Sequence, residues 1–277
     1  MFLTYYVTLI FCLNNIGREG IDKKIIRYLT SYDALRNIKH PNVEKRAVLF
    51  ADPDYSCSIE NPHNYSTQIQ QMLPQLPHTE EEIVSIKKIL EEKEWEVDTF
   101  TKEKASVENL QKQKSPKILH IATHGFFRNI DIDKMELEES LLYTGIFLSA
   151  SLILSENNQT VLYDGNAVLR AYEIQNLNLT SNDLVVLSAC DTGQGYDLAA
   201  GAAYGIQRSF LIAGAKQVIS TLWKVPDEQT KELIILFYQN VADGEDYETA
   251  LRKAQLQIKA KYKHPFFWGA FILLKNS

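Results

Sequence analysis

Cysteine is scarce in this chain. Only three occur in 277 residues, Cys12, Cys57 and Cys190. They are odd in number, far apart and never spaced as CxxC. That pattern supports neither a disulfide framework nor a cysteine-built zinc site, and it suits a reducing, cytoplasmic setting. Basic blocks are missing as well. The formal net charge is -6 and the Lys/Arg positions are mixed with Glu, which argues against nucleic acid as a direct partner. No internal repeat and no low-complexity tract is visible. The longest apolar opening, Met1 to Leu13, falls short of the ~20 residues of a membrane helix. It also lacks the basic leading segment and small-residue cleavage site of a secretory signal. Its β-branched and aromatic content favours a buried strand, or the remnant of a longer upstream region, over a targeting or membrane segment. No membrane partner is expected.

What is present is an ordinary globular composition, 45% hydrophobic and 23% charged, with length for one large domain. From about Asn42 onward, strand and helix patterns alternate. Short apolar strands are expected at Arg46–Ala51, at Glu94–Phe100 and around Ile118, Val185 and Val218. A last one is expected at Gly269–Leu274. Between them, helices are expected from Thr79 (as the capping residue, with Ile83, Ile86, Ile89 and Leu90 as the apolar stripe) and at Ala105–Gln113. Further helices are expected at Ala167–Leu177, Ala202–Ala213, Asp227–Ala242 and Tyr247–Tyr262. Leu141–Leu154 reads as an edge strand or hairpin, and Asp164-Gly165 as a turn. Alternation of this kind predicts an α/β fold, with a mostly parallel sheet of about six strands between two layers of helices. Sites in such sheets form just past the carboxyl ends of the strands.

Two segments end there in reactive side chains. Lys117-Ile-Leu-His-Ile-Ala-Thr-His124-Gly125 and Asp183-Leu-Val-Val-Leu-Ser188-Ala-Cys190-Asp-Thr-Gly193 each run from an apolar strand into a glycine-bearing turn. If the two strands are parallel neighbours, a thiol and an imidazole emerge together, which is a nucleophile with its acid–base partner. Each residue also has a structural use: buried cysteine is a common small core residue, and a lone histidine is commonly structural. His120, four residues before His124, reads as core or as support. The backbone N–H groups of Gly125 and Cys190 are the natural oxyanion donors. Asp52, Asp54 and Asp227 follow neighbouring strands, where aspartate routinely serves turns and caps. Together with Ser188 they are the candidates for a substrate pocket, and acids lining that pocket would select a basic residue at P1. The glycine-rich run Gly193–Gly205 lacks both G-x-G-x-x-G and a following Lys-[Ser/Thr], so it gives little support to nucleotide binding. No cofactor or metal is expected.

From about Ile25 to Leu274 the chain resembles the CHAT domain family, caspase-like cysteine peptidases related to separase and the caspases. The ordered motifs that carry the likeness start with Tyr28-Leu29-Thr30-Ser31, Ala51-Asp52-Pro53-Asp54-Tyr55 and Leu76-Pro77-His78-Thr79-Glu80. They continue with Leu119–Phe127, with Asp164-Gly165 followed by Tyr172-Glu173-Ile174, and with Leu187–Gly193. Phe210–Ala215, Ser220-Thr221-Leu222-Trp223 and His264–Phe271 complete the series. The resemblance implies a caspase–haemoglobinase sandwich and a catalytic dyad of His124 and Cys190. On this reading residues 1–24 are a leading segment or remnant, and 25–277 form the peptidase domain. Members are typically bacterial, often follow tetratricopeptide-type repeats, and act as regulated proteases. A protein or peptide substrate and a separate repeat-type sensor are therefore the expected partners. The chain departs from the family pattern at Asp191, where glutamate is usual, and at Ala199-Ala200-Gly201-Ala202, where a glutamate usually stands. The competing reading is a non-catalytic interaction domain that keeps the fold and binds partners in its cleft.

Overall fold

A computed structural model describes residues 28–29, 44–55, 73–127, 141, 144–149, 152–154, 161–163, 167–189 and 200–276. In chain order its elements are β1 (Tyr28–Leu29), β2 (Arg46–Pro53), α1 (Pro77–Glu91), β3 (Glu96–Lys102), α2 (Val107–Gln111), β4 (Ile118–Ala122), β5 (Gly125–Phe127), β6 (Thr144–Phe147), β7 (Leu152–Leu154), β8 (Val161–Tyr163), β9 (Val168–Arg170), α3 (Ala171–Ile174), β10 (Leu184–Ala189), α4 (Ala200–Ile212), β11 (Gln217–Thr221), α5 (Asp227–Ala242), α6 (Tyr247–Tyr262), a 3-10 turn (Pro265–Phe267) and β12 (Phe271–Lys275). The segment Met1–Leu13 and the Asp164-Gly165 turn lie outside the described residues.

The main sheet has the order β1-β12-β11-β10-β4-β2-β3. Its strands β11, β10, β4, β2 and β3 are all parallel. β12 is antiparallel to β11, and the two-residue β1 is parallel to β12. Chain direction explains the reversal. One covering helix returns the chain to the start of the sheet, whereas α5 and α6 in succession leave it at the far end, so β12 must run back. The expected α/β sandwich with a mostly parallel sheet is observed, the short β1 adding an edge strand to the six longer ones.

Period-two alternation sends successive side chains to opposite faces. Ala47, Leu49, Ile118, Leu184, Val186 and Ile219 pack with Ile83, Ile86 and Leu90 of α1, Leu233 and Phe237 of α5, and Ala254 and Ile258 of α6. Val48, Phe50, Leu119, Ile121, Val185 and Val218 pack on the other face with Leu110 of α2, Ile174 of α3 and Phe210 of α4. Each fully buried Leu, Ile or Phe contributes about 1.5–3 kcal/mol of burial free energy. A strand covered on both faces is therefore apolar at nearly every position, and β4 is buried throughout, with His120 as its polar residue.

Several boundaries differ from the sequence reading, each for a local reason. α1 starts at Pro77, whose fixed φ suits the first helical turn. Thr79 is therefore inside the helix, and its hydroxyl donates to the Leu76 carbonyl (2.6 Å). The stretch expected as a helix from Ala167 begins as β9, because Val168 and Leu169 pair with Phe147 and Ile146 of β6. β2 runs through Pro53, with a register shift against β3 between Phe50 and Pro53.

Two local features give tests of this packing. Asp246 caps α6 by accepting from the amides of Glu248 and Thr249 (both 3.1 Å) and from the Thr249 hydroxyl (2.7 Å). Burial pushes its carboxyl pKa up, but these hydrogen bonds outweigh that and lower it overall. Asp246→Ala is expected to cost about 1 kcal/mol in a urea titration at neutral pH. Because the folded pKa is depressed, the difference should shrink as the pH falls through the carboxylate range, roughly below 4.

Tyr238 of α5 is fully buried, and its hydroxyl lies 3.2 Å from Nδ1 of His120. His120 Nε2 lies 2.9 Å from Oε1 of Glu82, a close contact without the alignment of a hydrogen bond. Burial, then the charge of Glu82, holds the Tyr238 phenol well above its usual range, and burial also raises Tyr247. A phenol raised in the folded state stabilises fully below the unfolded pKa, near 10, and that contribution is lost as the pH rises further, by about 1.4 kcal/mol per unit. Urea midpoints between pH 9 and 11 should fall more steeply for the native chain than for Tyr238→Phe. Equal slopes would refute this assignment.

Candidate active site

β4 and β10 are parallel neighbours, with Leu187 opposite Ile121 and Ala189 opposite Ala122. Ser188 is the extra residue in β10 at this point, a bulge of the kind that re-aims a strand end beside a site. Its side chain is buried, and its Oγ has no hydrogen-bond partner among the described residues. The next residue in the chain, Cys190, lies outside the described residues, as do 191–199. On the other strand His124 stands two positions after Ala122.

His124 is buried, 2% exposed, and is held by backbone. Its Nε2 lies 2.8 Å from the carbonyl oxygen of Pro74, just before α1. A carbonyl can only accept, so the proton of the neutral ring belongs on Nε2 and the lone pair on Nδ1. The ring of Tyr55 packs against the imidazole with centroids 5.3 Å apart. Tyr55 also closes a polar circuit beneath it. The Thr123 hydroxyl donates to the Phe147 carbonyl. The Tyr55 hydroxyl, 2.7 Å from Thr123 Oγ1, must then donate to that oxygen. Its own oxygen accepts the His124 amide (3.3 Å), and the Phe147 amide donates to the His124 carbonyl (2.8 Å). The directions of the two hydroxyl donations follow from the Phe147 carbonyl, which can only accept.

Gly125 follows in β5, which pairs with β6, itself paired with β9. The Phe147–His124 bond makes that pair a hydrogen-bonded one, so Gly125 and Ile146 form the alternate, non-bonded pair. The Gly125 amide is thereby turned away from β6, as an oxyanion donor requires. A Cβ on Gly125 would meet only ordinary contacts, at 3.6 and 4.0 Å. The described packing gives no reason for glycine there.

The acidic candidates separate. Asp52 is buried and accepts from the Lys102 ammonium through Oδ2. The Lys102 pKa is raised by that hydrogen bond, opposed by burial, and raised further by the charges of Asp52, Glu80 and Asp54. Asp54 is half-buried in the segment after β2, and Asp227 is exposed at the start of α5 beyond the end of β11. His120 is a core residue on the sheet face covered by α1 and α5. Sequence reasoning passed over Tyr55, Pro74 and Thr123. The available signal was a tyrosine directly after the Asp-Pro-Asp run, out of place in a solvated loop. Among the described residues, no group of three or more His, Cys, Asp or Glu side chains could hold a metal ion, and no helix is long and apolar enough to cross a membrane.

The CHAT domain profile matches residues 17–276. The chain belongs to the CHAT domain family. Tetratricopeptide repeat protein 28 of Homo sapiens is 31% identical to this CHAT domain over 122 residues, which is 40% of this chain and 5% of that protein. The Mus musculus protein of the same name is 33% identical over 109 residues, 39% of this chain and 4% of the relative. The CHAT chain thus matches only a small part of either relative's length. Among solved structures, the Arg specific cysteine proteinase gingipain R is similar with a TM-score of 0.43 at 8% identity, over 93% of this chain and 50% of that one.

Proposed function

We propose that this CHAT domain is a cysteine endopeptidase with Cys190 as nucleophile and His124 as its acid–base partner. The observation that carries the reading is the parallel register of β4 and β10, in which Ala122 and Ala189 are partners. Neighbouring strands are about 4.8 Å apart, so the two strands end side by side at one edge of the sheet, which supports pairing Cys190 with His124.

The chemistry needs little more. His124 Nδ1 takes the thiol proton, and the Cys190 sulfur attacks the scissile carbonyl carbon. The carbonyl oxygen becomes an oxyanion facing the amides of Gly125 and Cys190. The imidazolium then gives its proton to the leaving nitrogen as the C–N bond breaks, and a thioester is left on the sulfur. Water gives a proton to Nδ1 and attacks the thioester, and the thiol leaves protonated. Throughout, the Pro74 carbonyl accepts the hydrogen bond from Nε2–H and holds the ring in place.

A basic P1 residue completes the proposal, with Asp54, Asp227 and the hydroxyl of Ser188, which has no partner among the described residues, as pocket groups. Asp52 enters that set already paired with Lys102. The likeness to a tetratricopeptide repeat protein favours a repeat-type sensor as the controlling partner. The test is cleavage of peptide reporters carrying Arg, Lys, Leu or Asp at P1, by the native chain and by Cys190→Ala, with and without lysate of the source cells. Cleavage of the Arg and Lys reporters that Cys190→Ala abolishes is the expected result. No Cys190-dependent cleavage of any reporter in either condition would favour the interaction-domain reading, and cleavage after Leu or Asp alone would refute the basic preference.

A further inference from the structure

We infer that Asp52 is a positioning residue for His124, acting through Gln75 and the Pro74 carbonyl. The inference deepens the peptidase reading and rests on His124 being its acid–base group. It starts from backbone strain. Asp52 and Lys102 both lie in the left-handed region, at φ 43° and 51°, where residues other than glycine are uncommon. They stand at the carboxyl ends of the adjacent strands β2 and β3. Strain of this kind persists only where the surroundings over-determine it.

Asp52 is over-determined at three points. Its amide donates to Thr79 Oγ1 (3.0 Å), whose own proton goes to the Leu76 carbonyl at the head of α1. Its Oδ2 accepts from Lys102, so a buried carboxylate keeps a counter-charge. Its Oδ1 accepts from the Gln75 side-chain amide (3.1 Å), with the amide oriented to match its neighbours. In that orientation Gln75 also donates to the Pro53 carbonyl and accepts from the Tyr55 amide (both 3.3 Å).

Gln75 is thus tied to residues 52, 53 and 55, while Leu76 is tied to Thr79. The peptide between Pro74 and Gln75 is planar, so fixing Gln75 on both sides fixes the direction of the Pro74 carbonyl. That carbonyl is the group that holds His124 Nε2. The acid that the sequence offered as a pocket residue therefore also serves the imidazole, and Lys102 serves the acid.

A merely structural role for Asp52 would lower stability and leave the His124 ring unchanged, so the test reads the ring. The chain is labelled with 15N at histidine, the His124 signal is assigned by its loss in His124→Gln, and long-range 15N–1H correlations report the tautomer. The native chain should show His124 in the Nε2–H form with a slowly exchanging ring proton. Asp52→Asn and Gln75→Ala should each mix the tautomers and speed exchange about tenfold. Asp98→Asn, which removes the Arg46 ion pair (2.7 Å) at the opposite end of β2 and β3, should change stability alone. Gln75 is exposed, so Gln75→Ala decides the matter if Asp52→Asn does not fold. A native tautomer and native exchange in the folded variants would overturn the inference, even with Cys190 fully reactive. An inert Cys190 with the tautomer pattern as stated would overturn only the peptidase reading.

Discussion

His124→Ala is expected to lower kcat/KM on a cleaved reporter by about 10³-fold or more, close to the loss in Cys190→Ala. Two roles disappear together. The thiol loses its base, and the departing amine loses its acid. Residues that act as one unit lose nearly everything on the first deletion, so the double variant should be little worse than either single one. The loss must appear without unfolding, because His124 is buried under Tyr55. His124→Gln, which retains a polar side chain in that space, serves as the folding control and should be equally inactive. A His124 variant that folds and retains more than about a tenth of native kcat/KM would remove the imidazole from the chemistry.

Gly145→Ala is expected to be severely damaging. A Cβ there would lie 2.5 Å from the Leu169 carbonyl oxygen, 2.8 Å from Cε1 of Phe126 and 2.9 Å from the Arg170 Cα. Two of those contacts are backbone, which cannot rotate aside. Gly145 is the middle of three strands, between Phe126 on β5 and Arg170 on β9. Relief means separating the strands that carry Gly125 and follow His124. A loss of about 3 kcal/mol or more is expected in urea unfolding, with reporter cleavage lost alongside. Gly244→Ala is the contrast. It has φ +94° but nothing within 4 Å of an added Cβ. It should cost about 1 kcal/mol and leave cleavage intact.

Much of this was legible in the chain. The apolar runs at Ile118 and Val185 carry no polar break except His120 and Ser188, and strands buried on both faces read as such. α5 and α6 match the expected Asp227–Ala242 and Tyr247–Tyr262 to the residue. β9 was hidden because Val168-Leu169-Arg170 leads straight into a helical turn, and only its partner β6 makes it a strand. In the site, His124 stood out by its place after a strand and before a glycine. The residues that hold it did not. Pro74 acts through a carbonyl, which no side-chain pattern reports. Tyr55 and Thr123 meet across 68 positions of chain. Asp52 was visible as an acid at a strand end, and its pairing with Lys102 depends on the β2–β3 register, which the sequence does not display.

The most direct test of the account is the site and rate of labelling by an irreversible thiol-directed peptidyl probe with Arg at P1. Native chain and His124→Ala would be labelled with and without lysate of the source cells, and the modified cysteine identified by peptide mapping. The account predicts labelling confined to Cys190, sparing Cys12 and Cys57, and largely lost in His124→Ala. Cys190 labelled no faster than Cys12 and Cys57 in either condition, or labelled equally without His124, would contradict it.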